Sequence, residues 1–261
     1  MRAVTDPSVA DWVVNAIHPF AQDVGSVIPD TFQAYLRVLH PAEKRDGSSS
    51  TPVTWRQIAE ANGKQFHPEM QFEFLVPDDC FDGALNCRRS QEGLWDEPPE
   101  LGEIPGDIAR ALAELLRGFT GTPESCYFAY WEGWGDPVES VATKIGETPP
   151  EPAPLDFAGS PRAERDRAAK FLIPGRGFYL YEGAITEATT SWMGDLGNRP
   201  SLWWPADRSW CVATEIDFVC TYVAGPEGIA EALVNDPRIE AVPTAPTDGI
   251  GRAADRINGP K

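Results

Sequence analysis

A chain of 261 residues that is 42% hydrophobic and 10% aromatic, with nine Trp, carries enough apolar surface to fold as one large domain or two small ones. Forty acids against 22 bases leave a net charge of −18, which repels phosphate backbones and anionic bilayers and argues against nucleic-acid and membrane partners. No run approaches the ~18 apolar residues of a membrane span, and no apolar stretch follows a basic one at the start, so the expected location is the cytoplasm.

The first predicted element is a helix opened by Asp6-Pro7, an N-cap followed by a proline at the first helical position, with Val9, Trp12, Val13 and Ala16 along one stripe. Pro19 stops it. Phe32, Ala34, Leu36 and Val38 alternate with more polar neighbours and predict a strand. Residues 42–51 are polar and are expected to form a loop, and a short helix over 55–62 is closed by Gly63. In 70–76, Met70, Phe72, Phe74 and Val76 alternate with Gln71 and Glu73, the pattern of a half-buried strand.

Residues 91–107 hold six acids and no base among prolines and glycines, an acidic surface loop. The strongest helical stripe follows: Ile108, Ala111, Leu112, Leu115, Leu116 and Phe119, with Gly118 placed to close it. Segment 126–134 is apolar on both faces, as an interior strand covered on both sides must be. Its expected neighbours are 70–76 or 210–218. The Pro-rich stretch 146–161 reads as a stiff internal loop or hinge. Beyond it, 177–183 and 201–204 predict short strands and 210–218 a long one with one apolar and one mixed face. A helix over 226–235 follows, with a proline at its first turn. Residues 244–261 lack periodicity and are expected to be a mobile tail. Together these elements predict a single α+β domain over residues 1–243, loop-rich, with a mixed and mostly antiparallel sheet packed by a few helices.

The chain has no GxxxxGK[ST] loop, no GxSxG elbow, no HExxH and no CxxC. Its five cysteines, Cys80, Cys87, Cys126, Cys211 and Cys220, read as reduced core thiols. A helix-turn-helix beginning at Val53 fails, because His67-Pro68 stands where its second helix should run. His18, His40 and His67 each precede a proline and belong at element ends; no metal and no cofactor is predicted.

Two segments combine flat aromatic surface with charge where a strand meets a turn. One is Trp131-Glu132-Gly133-Trp134-Gly135. The other runs from Ser201 through Asp207, Arg208 and Trp210 to Glu215 and Asp217. Glu215 and Asp217, two apart on a strand, would share one face. The candidate ligand-binding residues are therefore Trp131, Glu132, Trp134, Asp207, Arg208, Glu215 and Asp217. Arg208 is the expected anchor for an anionic group, and Glu132 or Glu215 the candidate acid or base.

Leu202-Trp203-Trp204-Pro205-x-Asp207-Arg208-x-Trp210, Ala213-Thr214-Glu215-Ile216-Asp217-Phe218 and Thr221-Tyr222-Val223-x-Gly225 resemble the marked stretches of an uncharacterised family of actinobacterial-type proteins. Val24-Gly25-Ser26-Val27-Ile28-Pro29 and Trp131-Glu132-Gly133-Trp134-Gly135 are similar to others. That resemblance implies no activity. Two functions are therefore carried forward: a non-catalytic binding protein, immunity-like or regulatory, whose acidic surface suits a basic protein partner, or an enzyme of unrecognised type with a Trp-lined cleft.

Overall fold

The computed structural model describes residues 1–20, 22–77, 80–82, 87–88, 90–134, 167–191 and 198–259; the Pro-rich stretch 146–161 lies outside them. In chain order the elements are β1 (Arg2–Ala3), α1 (Asp11–Ala16), β2 (Ala34–Leu39), β3 (Ala42–Asp46), β4 (Ser49–Val53), α2 (Trp55–Ala61) and α3 (Phe72–Leu75). Then come β5 (Phe81–Asp82), β6 (Cys87–Arg88), α4 (Gly106–Leu116), β7 (Cys126–Trp131), β8 (Lys170–Ile173) and β9 (Arg176–Gly183). The chain continues through β10 (Leu202–Pro205), β11 (Cys211–Thr214), β12 (Cys220–Gly225), α5 (Gly228–Val234) and β13 (Glu240–Thr244). No described helix is long and apolar enough to cross a membrane.

One nine-stranded sheet organises the domain, in the order β1-β9-β7-β10-β11-β12-β2-β13, with β8 also on β9. Every pairing among the described residues is antiparallel, so the α+β class holds. The doubly apolar strand is interior as expected, but its neighbours are β9 and β10. Phe128 and Tyr130 point to one face and are fully buried; Tyr127 and Trp131 point to the other and are half-buried.

On the Phe128 face, α4 and α5 cover Leu36, Val38, Trp203, Val212 and Val223. Helix α4 does this with Ile108, Leu112 and Leu116 fully inside and Leu115 at the margin. The opposite face is covered by the N-terminal segments, α2 and α3, packed on Leu39, Leu202, Trp204 and Tyr222. Helix α2 opens with a reciprocal cap, Thr54 and Gln57 each bonding the other's backbone amide, and ends at Gly63 in the left-handed region (φ +64°).

Four expectations change. Residues 70–76 make a single helical turn in place of a strand. Arg37 Nη1 takes the carbonyls of Pro68 (3.0 Å) and Met70 (2.7 Å), and Asp255 takes the Gln71 amide (3.0 Å), so these backbone groups are not free to join a ladder. Leu75, at the fully buried i+3 position from Phe72, completes the helical spacing. Residues 42–51 lie in the polar hairpin β3–β4, turned at Gly47 (φ +61°), and its Lys44 and Arg45 pair with Asp96 and Glu97 of the acidic loop. The long strand of 210–218 ends at Thr214. It is followed by a turn closed by Phe218 N–H to Glu215 O (3.0 Å), against which Gly102 packs so closely that a Cβ would meet Ile216 O. Finally, the stretch expected as a mobile tail is tied down. Thr244 ends β13, Ile250 is buried, and buried Asp255 accepts from His67 (3.0 Å) and from the amides of Gln71, Ile257 and Asn258.

His40 is fully buried between the sheet and the acidic loop. Its Nδ1–H donates to Glu100 O (2.9 Å), so Nε2 accepts from Thr221 Oγ1 (2.8 Å), which is itself bonded to Thr214 Oγ1 (2.8 Å). Burial pulls its pKa down to about 4. The unfolded chain, with an ordinary value near 6.5, takes the proton first. The stabilisation is therefore whole above about pH 6.5 and is lost as pH falls towards 4, about 3 kcal/mol in all. Urea melts at pH 7 and pH 4.5 should show this loss, and His40→Asn should have a shallower pH dependence than the parent. Leu112→Ala should lose about 2–5 kcal/mol in the same melts at pH 7.

Candidate functional site

The second predicted segment is a hairpin: its turn, Asp207 and Arg208, lies at the opposite end of β7 from Trp131 and Glu132, while Ser201 and Glu215 return to the Trp131 end. In register, Pro205 stands opposite Cys126 and Leu202 opposite Ala129, so Asp207 and Arg208 sit beyond the start of β7 while Trp131 and Glu132 stand at its end. Six residues of strand separate them, about 20 Å. The composite cleft joining Glu132 to Arg208 is not formed.

At the Trp131 end the residues are occupied by packing. The Trp131 ring lies over Gly133, where a Cβ would collide with it. The Glu132 carboxylate lies against Gly177 and pairs with Lys170 (3.0 Å). Trp134 closes the short 3-10 turn Glu132–Trp134 with its backbone; its side chain and Gly135 lie outside what is described. Glu215 is buried in an ion pair with Arg176, which also donates to Ser26 O (2.7 Å) and whose pKa burial lowers to about 10. Asp217, expected on the same face as Glu215, is exposed, because the strand has ended and the turn points the two carboxylates apart.

At the other end, Asp207 serves the β10–β11 turn. Its carboxylate accepts from Thr120 Oγ1 (2.8 Å), the Gly121 amide (2.7 Å), the Ser209 amide (3.1 Å) and Ser209 Oγ (2.7 Å). Burial alone would raise its pKa, but the bonds from Ser209, Thr120 and Gly121 hold it below the ordinary carboxylate value. With four donors already on it, Asp207 is a structural clamp.

Arg208 is different. It sits at φ +57°, the one non-glycine residue in the left-handed region among those described. It is exposed and has no carboxylate partner among the described residues. Its guanidinium lies 5.8 Å from the centre of the Trp12 ring. Trp12 in turn meets Phe32 edge to face at 6.0 Å and Trp204 at 5.9 Å. Trp12, Phe32, Gln33, Arg208, Ser209 and Pro226 line an open groove of about 500 Å³. The Trp12 indole N–H is withdrawn from solvent without an acceptor among the described residues.

Sequence inspection singled out Arg208 but missed Trp12 and Phe32, which read there as ordinary helix and strand residues. The segment leading to Phe32 is pinned by His18, whose Nδ1 faces Asp23 (2.9 Å) and whose Nε2 faces Asp30 (3.1 Å). Burial opposes the charged imidazole, but the two carboxylates outweigh it and raise the pKa. Gly25 is required beneath that ring, since a Cβ would overlap it. The other histidines lie elsewhere, His40 under the acidic loop and His67 on Asp255, so the three do not converge. Among the described residues no group of three or more His, Cys, Asp or Glu is arranged to hold a metal.

No family model, no curated protein and no solved structure matches this chain, so the site is interpreted from its own geometry.

Glycine is the residue that fits φ +57° without strain, and an arginine there costs about 1–2 kcal/mol. Arg208→Gly should therefore leave the urea midpoint unchanged or raise stability by up to about 1 kcal/mol, since chain entropy offsets part of the relief. Asp207→Ala, which strands several donors, should lose about 1–3 kcal/mol.

Proposed function

We propose that the protein is a non-catalytic binding protein that receives a basic polypeptide segment in the Trp12–Arg208 groove. The observation that carries this is Arg208 itself: an exposed cation kept in a strained backbone conformation over an indole, where glycine would serve the turn better. A groove of this openness suits a segment lying across it more than a small substrate enclosed from water. Arg208 is the point for one carboxylate of the partner, and the Trp12–Phe32 pair is the surface for an adjacent apolar or aromatic side chain.

The rest of the partner segment is basic. A net charge of −18 favours it at long range, and Asp30 on the adjoining wall and Glu227 beside Gln33 supply local acids. The enzymatic alternative is weakened because the carboxylates it needs, Glu132 and Glu215, are paired with Lys170 and Arg176 away from Arg208.

Selection from a phage-displayed random peptide library on the folded full chain tests this. The expected sequences are net basic, with one carboxylate next to an aromatic. Their affinity should fall at least about tenfold, or about 1.4 kcal/mol, in both Arg208→Ala and Trp12→Ala, and should weaken with salt. Enrichment of acidic peptides, or equal binding to both variants, overturns the proposal.

A further inference from the structure

A second cavity, of about 200 Å³, opens on the other end of β12 and does not involve the groove. Among its lining residues are Arg37, Cys220, Asp217, Phe218, Ile250 and Arg252. Arg37 lies in the middle of β2, only 4% exposed, and has no carboxylate within ion-pairing distance among the described residues. Its Nη1 is committed to the Pro68 and Met70 carbonyls, and its Nε donates to Cys220 Sγ at 3.2 Å. Nη2 donates to no described atom, although the side chain lines the cavity. A deeply buried guanidinium thus presents one bonded donor to a thiol and one uncommitted donor group beside the same space.

The carboxylates around this pair are engaged elsewhere. Glu73 on the cavity wall pairs with Arg252 (2.9 Å), and Asp255 is filled by His67 and three backbone amides. Asp248 accepts from Thr244 Oγ1 and the Ala245 amide, and Asp217 is exposed to water. Tyr222, on the same face of β12, is kept protonated chiefly by burial. The charged group bonded to the sulfur is the Arg37 guanidinium, whose Nε–H donates to it at 3.2 Å.

We propose that Cys220 is a peroxide-reactive thiol and that Arg37 holds the oxidant in the adjoining cavity. The sulfur attacks one oxygen of hydrogen peroxide; the S–O bond forms as the O–O bond breaks. Sulfur is oxidised by two electrons to the sulfenic acid. The departing oxygen leaves as hydroxide, takes up the thiol proton and becomes water, while the Arg37 donors stabilise the charge developing on it. The cavity admits a molecule of this size, while the 1% exposure of Cys220 shuts out bulky reagents.

The folded full chain is treated with hydrogen peroxide at neutral pH, the peroxide is removed with catalase at timed points, and the chain is then unfolded in urea containing a dimedone-type reagent and mapped by peptide mass spectrometry. Cys220 should be labelled at least about tenfold faster than buried Cys126 and Cys211, whose thiols burial pushes well above the ordinary value. Cys220→Ser should remove that label alone. An aromatic disulfide reagent should modify Cys220 only at the rate of unfolding, and peroxide should exceed that rate. Arg37→Lys, once shown folded by circular dichroism, should slow peroxide labelling at Cys220 about tenfold. Labelling of Cys220 no faster than Cys126 and Cys211, or a peroxide rate equal to the unfolding-limited rate, overturns the proposal without any variant.

Discussion

Arg37 places a full positive charge in the middle of a strand and out of water, and one face of the molecule is organised around satisfying it. Withdrawing such a group from solvent costs several kcal/mol unless its donors are met. Nη1 is met by the carbonyls of Pro68 and Met70 and Nε by Cys220, while the guanidinium lies over Trp55, whose ring centre is 5.3 Å away. Those partners fix where 67–71 must lie, and thereby where α3 and Phe72 pack against Trp55 and Trp95. Asp255, which binds both the Gln71 amide and His67, locks the same segment from the C-terminal side.

The same constraint governs the rest of the sheet. Because helices cover one face and the N-terminal layer the other, the polar side chains buried on and beside β2, β11 and β12 are kept from water. His40, Thr221 and Thr214 respond by bonding one another in a chain that ends on a carbonyl of the acidic loop, and Glu215 responds by pairing with Arg176. Positions that hold a charged side chain over an open groove are consequently found where strands end in turns. Arg208 is such a position; Glu132 and Glu215, at the far end, are used to hold the structure together.

The acidic balance also looks different once folded. Asp96 and Glu97 meet Lys44 and Arg45 of the β3–β4 hairpin, and Glu100 and Glu103 converge on Arg199. The hairpin pairs are exposed and contribute little to stability individually. Their effect is to consume cations locally, so that the surplus of acid is left to set the field around the molecule.

Local signals in the sequence determined α2, α4 and the interior strand. Thr54 with Gln57 and Gly63 bound α2, the Ile108–Leu112 stripe fixed the buried side of α4, and apolarity on both faces marked β7 as interior. Each depends on neighbours within a turn or on a strand's own alternation, physics contained in a few consecutive residues. Tertiary structure alone decided that 70–76 coils, because the groups that claim its backbone are Arg37 and Asp255, 33 and 184 residues away. It alone separated Glu215 from Asp217 by ending β11 early. It also brought Trp12 and Phe32 to Arg208, a groove assembled from a helix, a strand entry and a turn that no window of sequence contains. A side chain's bonding partner in a covered sheet is set by register and covering layers, and register is a property of the whole sheet.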